Sequence, residues 1–83
     1  MRGRKPVEPP LDLDAFAKEI GLRLALARKS KGITQETMAD RIGVSRPNLA
    51  NIEVGRCRPY VDVVWRCAVV LGVEMQKLIP EPL

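Results

Sequence analysis

The chain has no histidine and only two cysteines, Cys57 and Cys67, among its 83 residues. A structural zinc draws on about four Cys or His ligands, so neither a metal nor a cofactor is expected. The two thiols read as free cysteines of a reducing cytoplasm, with Cys67 packed in the core. Aromatic residues are scarce as well, with one Phe, one Tyr and one Trp. That is too few for a platform that stacks single-stranded bases. No apolar run approaches the ~20 residues of a membrane span, and Met1 to Pro10 lacks the apolar segment of a secretory leader. No Cys or Ser stands beside a base, and no phosphate loop or metal cluster is present, so an enzyme is not expected. Internal repeats are missing too.

What remains suits one small domain. An apolar fraction of 46% argues against disorder of the whole chain, and a chain of this size buries a modest core without staples. The formal charge is +4, and its placement is uneven. Residues 1 to 31 carry Arg2, Arg4, Lys5, Lys18, Arg23, Arg28, Lys29 and Lys31 against Glu8, Asp12, Asp14 and Glu19. Beyond residue 31 the two signs balance. Residues 1–11, with three prolines and the Arg2-Gly-Arg-Lys5 cluster, read as a flexible basic arm. Residues 12–83 read as the folded domain.

Apolar spacing divides that domain into helices. The first starts near Asp12 or Asp14 and runs to about Ser30, with Phe16, Ile20, Leu24 and Ala27 facing inward and Leu13 and Ala17 extending the stripe. Gly32 follows as its stop. Thr34 is a good N-cap for a helix over about Gln35 to Ile42, whose inward residues are Met38, Ala39 and Ile42. Gly43 allows a sharp bend. Ser45 then caps a helix over Arg46 to Val54, and Pro47 in its first turn forgoes a donor that had no partner there. Leu49 and Ile52 face inward, while Arg46, Asn48 and Asn51 face out. Helix, short turn with Gly, helix is the helix-turn-helix unit. A fourth helix runs from Tyr60 or Val61 to Leu71. Its core stripe is Val64, Cys67, Ala68 and Leu71, and Val63, Trp65, Val69 and Val70 form a second apolar side. A fifth, over about Glu74 to Ile79, ends at Pro80.

These features, in register, resemble the phage-repressor and Cro-like (XRE-type) helix-turn-helix proteins. The resemblance covers about Ile20 to Ile79. It rests on Arg28, Ile33-Thr-Gln-Glu36, Ala39, Gly43-Val-Ser45, Ile52-Glu53, Gly55, Pro59, Ala68 and Leu71-Gly-Val73. It implies an all-α, compact five-helix bundle of the lambda-repressor-like kind, whose third helix enters the major groove of double-stranded DNA. It also implies a homodimer on a near-palindromic operator that regulates transcription, acting as a repressor or autoregulator at the nucleoid. Carried residue by residue, Arg46, Pro47, Asn48 and Asn51 face base edges. Thr34, Gln35, Ser45, Arg56 and Arg58 lie at phosphates. Arg28 and Glu53 form a structural brace between the first helix and the end of the third. The chain departs from the family at Pro47, where a polar reader is common, and in the apolar fourth helix.

A helix apolar nearly all round needs a cover on both faces. Val63, Trp65, Val69, Val70 and Ile79 are therefore candidates for a dimer interface. The alternative reading of the same surface is a module, such as an antitoxin, that holds a different protein partner.

Overall fold

The computed structural model describes residues 12–81, so the basic arm expected over residues 1–11 lies outside the described residues. Among the described residues the chain forms α1 (Leu13–Ser30), α2 (Gln35–Ile42), α3 (Arg46–Glu53) and α4 (Val61–Leu71). One short 3-10 turn, Met75–Lys77, follows. Four α-helices are present where five were expected. The expected fifth is a single turn because Pro80 leaves no room to propagate it and Leu78 is drawn into the core.

The starts of α1, α2 and α3 are each fixed by a side chain that relieves a free amide, whereas α4 begins at Tyr60 without one. Asp12 Oδ1 accepts from the Ala15 amide at 3.0 Å, Thr34 Oγ1 from Thr37 at 3.1 Å, and Ser45 Oγ from Asn48 at 3.2 Å. The bend between α2 and α3 turns on Gly43, whose φ of 76° is costly for any residue with a Cβ.

The largest fully buried side chains are Leu24, Met38, Ile42, Leu49, Ile52, Leu71, Leu78 and Cys67. They join all four helices in one core. Gly21 lets α1 lie directly on α3, since a Cβ there would overlap the carbonyl oxygens of Ile52 and Glu53. Phe16 does not join the core as expected, and Leu13 is exposed as well. An 18-residue helix is about 27 Å long and an 8-residue one about 12 Å. The first turns of α1 therefore reach past the helices they pack on.

The expected second face of α4 also needs correction. Val63 is buried in the core and is not on an outer surface. It stands one turn before Cys67, so helical register puts both on the same side. Val70 and Ile79 are half-buried and pack against the core. The outer stripe is instead Val61, Trp65 and Val69, spaced i, i+4, i+8 and 58–70% exposed.

Candidate nucleic-acid interface

The α2–turn–α3 unit is clamped at the far end of α3. Arg28 donates from Nε to Glu53 Oε2 at 2.7 Å and from Nη2 to Glu53 Oε1 at 3.0 Å. Its Nη1 holds the Ile33 carbonyl at 2.8 Å, just before α2 begins. Gln35 Nε2 donates to Glu53 Oε1 at 3.0 Å. One carboxylate thus ties α1, the start of α2 and the last turn of α3 together. The guanidinium is held above its usual pKa, chiefly by the bond to Glu53 and against the pull of burial. Arg28 and Glu53, the pair that the resemblance implies as a brace, are bonded to each other, and Gln35 joins the same carboxylate.

This clamp sets the charge of the exposed helix. Arg46 and Glu53 are the two charged residues of α3. Arg28 neutralises Glu53, so the outward charge of α3 is that of Arg46. Arg46, Pro47 and Asn48 are exposed and Asn51 is half-buried. Arg46 has no ion-pair partner among the described residues. Pro47, Asn51 and Val54 follow each other at i, i+4 and i+7 and share one side of the helix. Val54, exposed at the end of α3, belongs to this face without being among the expected residues, and its spacing from Pro47 is the signal in the sequence that points to it.

The expected phosphate residues fall into two groups. At the helix starts, Gln35 commits one amide hydrogen to Glu53 and retains a second. Ser45 accepts through Oγ and keeps its hydroxyl hydrogen. Thr34 instead spends its hydroxyl hydrogen on Thr37 Oγ1 at 3.1 Å. In the turn after α3, Arg56 is exposed, whereas Arg58 is paired with Asp14 at 3.1 Å. Both partners of that pair are exposed, so it is weak and open to exchange. Sequence alone had no means to join Asp14 to Arg58, 44 residues apart. Nor could it place the Cys57 thiol 3.8 Å from Asn48 Oδ1. Asn48, Ile52, Cys57, Arg58, Pro59, Tyr60 and Val63 line a cleft of about 310 Å³ beside α3.

Among the described residues no cluster of metal-ligating side chains occurs, and no helix is long and apolar enough to cross a membrane. What the arrangement offers is a short helix, rigidly backed, with a cation, two amides and an apolar edge turned outward. Side chains of that kind match the donor, acceptor and methyl pattern of the major groove.

The HTH_3 helix-turn-helix family model matches residues 24–78. An uncharacterized HTH-type transcriptional regulator of Sinorhizobium fredii, y4dJ, is 37% identical over 62 residues, which span 75% of this chain and 80% of that protein. The ImmF control region 10 kDa protein of Bacillus phage phi105 is 33% identical over 61 residues, 74% of this chain and 68% of its own length. Among solved structures, the restriction-modification controller protein C.AhdI from Aeromonas hydrophila superposes with a TM-score of 0.74 at 29% identity, covering 78% of this chain and 98% of that one. The biofilm master regulator SinR, solved in complex with DNA, gives a TM-score of 0.67 at 30% identity over 71% of this chain and 95% of its own. The match runs over more than half of the chain and includes both helices of the clamped unit, so the chain belongs to the HTH_3 helix-turn-helix family.

Proposed function

We propose that this chain is a sequence-specific, double-stranded DNA-binding regulator of transcription that acts as a homodimeric repressor or autoregulator on a near-palindromic operator. The observation that carries the reading is the clamp of Arg28 and Gln35 on Glu53, which fixes α3 while its outer face stays free. The relatives named as transcriptional regulators and the SinR complex with DNA support it. Neither the family match nor the named relatives favour a module that holds a different protein.

In this reading Arg46 donates bidentately to guanine O6 and N7, and Asn51 pairs with adenine N6 and N7. Pro47 offers only apolar contact, as to a thymine methyl, and Asn48 reaches an adjoining base. Gln35, Ser45 and the free amides opening α2 hold phosphate, with Thr34 shaping that end, and Arg56 and Arg58 hold the next stretch of backbone. Arg58 exchanges Asp14 for phosphate. Dimerisation uses the outer stripe of α4, because one short helix reads few base pairs and two half-sites about one turn apart restore specificity.

The test is selection of duplexes from a random pool, followed by gel shift of the selected site at two salt concentrations. Site-specific, salt-sensitive binding is expected. Arg46→Ala should relax preference at one base pair of each half-site, by about 1–3 kcal/mol of discrimination, whereas Gln35→Ala should weaken all sites alike. Uniform loss in Arg46→Ala as well would overturn its base-reading role.

A further inference from the structure

The recognition helix α3 packs on α1 and α2, whereas α4 packs chiefly on α2. Beside the covalent connection over residues 54–60, the packed route from α4 to α3 runs mainly through α2. The apolar part of that path is the shared core, which resists separation but has little directional preference. Its polar part is Arg66. From α4, Arg66 Nη1 donates to the Ile42 carbonyl oxygen at 3.1 Å, and Nη2 reaches Asp62 Oδ2 one turn back at 3.4 Å.

Ile42 is the last residue of α2, so its carbonyl is one of those a helix end leaves without an internal partner. Backbone bonds at the bend already serve two others. Val44 donates to Ala39 at 3.0 Å and Gly43 to Asp40 at 3.3 Å. Arg66 supplies the donor for Ile42, and its positive charge suits the negative end of α2. The bond lands at the entrance to the bend that aims α3. A Cβ on Gly43 would stand 3.6 Å from the same Nη1. Arg66 is also the neighbour of Trp65, so one turn of α4 bears both the middle of the outer stripe and this tie.

We propose that Arg66 is a positioning residue that couples the dimer helix to the aim of the recognition helix and so sets how strictly the two half-sites must be spaced. The inference rests on the dimeric reading above. Two recognition helices measure a spacing only if each is rigid with respect to the dimer interface. With the tie removed, α3 tilts more freely relative to α4. A wrongly spaced operator is then penalised less, and the preference for bases within a half-site is unchanged.

The experiment uses the duplex selected by the wild-type chain, rebuilt with one base pair added or removed between its half-sites. In Arg66→Met the preference for the selected spacing should fall about fivefold, at the low end of site-to-site coupling because the tie is half-exposed. Dimerisation, measured by sedimentation, and base discrimination within a half-site should hold. Arg66→Lys retains a donor and a charge and should recover part of the preference. Asp62→Asn should lower it in the same direction by less. Equal loss on every spacing in Arg66→Met, or no loss, overturns the proposal. An Arg66→Met chain that did not fold would leave the decision with Asp62→Asn, whose spacing preference must still fall. A wild-type chain that sediments as a monomer, or ignores spacing, overturns the dimeric reading and this role with it, and that outcome is visible before any variant is made.

Discussion

Glu53 is a buried carboxylate at the C-terminal turn of α3, where the helix dipole disfavours negative charge. It is tolerated because Arg28 meets it with two bonds. Removing one member of such a pair strands the other, at a cost of about 3–5 kcal/mol. Arg28→Ala should therefore lower the urea midpoint by a large part of a small domain's stability. Replacing both residues by apolar ones of similar size should cost less than the single change, since no charge is left stranded. That double variant should still bind DNA weakly, because Gln35 and α3 lose their common anchor. Equal stability losses in the single and double variants would show that packing, not charge, is what the pair supplies.

A second residue makes a simpler prediction. Burial pushes the Cys67 thiol up to about 11, with the nearby Glu53 charge adding to the effect. A folded-state pKa above the unfolded value favours the protonated, folded form. The unfolded chain gives up the proton first as pH rises, so this contribution is complete below the ordinary cysteine range and is lost between it and about 11. Cys67→Ala should flatten that part of the pH–stability curve, at the expense of a small cavity. A thiol reagent at neutral pH should label the half-exposed Cys57 quickly and Cys67 only on unfolding. Fast labelling of both would show that the core around Cys67 opens.

At the scale of elements, the contact between α1 and α3 depends on Gly21. Gly21→Ala would drive a methyl group into the backbone of Ile52 and Glu53, and neither carbonyl can swing aside as a side chain tip could. Overpacking of this kind costs about 1–3 kcal/mol. It should also weaken DNA binding by more than its effect on stability, because the displaced element is α3 itself. Unchanged binding would mean that α1 moves and α3 does not. This contact was not legible in the sequence, where Gly21 is one more small residue in a helix. The helix-turn-helix was legible because its information is local, in the caps Thr34 and Ser45, the bend at Gly43 and Pro47 in a first turn. So were the limits of α1 and α4. What failed was helical phase at the edges of the core. Val63 is expected on the outer side although its i, i+4 register with Cys67 puts it on the core side, and Val61 is expected only as a helix start. The ties of Arg66 to Ile42 and of Arg58 to Asp14 join distant positions that no periodicity links.

For the whole molecule, the question is whether the outer stripe of α4 is covered by a second copy. Val61, Trp65 and Val69 stand together on one side of a helix whose other side fills the core, and an exposed apolar cluster is what the proposed self-association would cover. Trp65 is the natural anchor, since buried tryptophans dominate many interfaces and their loss costs about 2 kcal/mol or more. Trp65→Glu should leave the fold intact, because that side chain faces out. It should weaken self-association by about thirtyfold or more, as read by sedimentation. The effect on DNA binding then separates two contributions. Affinity for a duplex carrying both half-sites should fall steeply, whereas affinity for a single half-site should barely change, because every proposed base and phosphate contact belongs to one protomer. The salt dependence per protomer should stay the same, since it counts phosphates neutralised and not partners held. If Trp65→Glu instead remained a dimer with full affinity for the paired site, the stripe would not be the interface. The two recognition helices would then have to be held together by another surface.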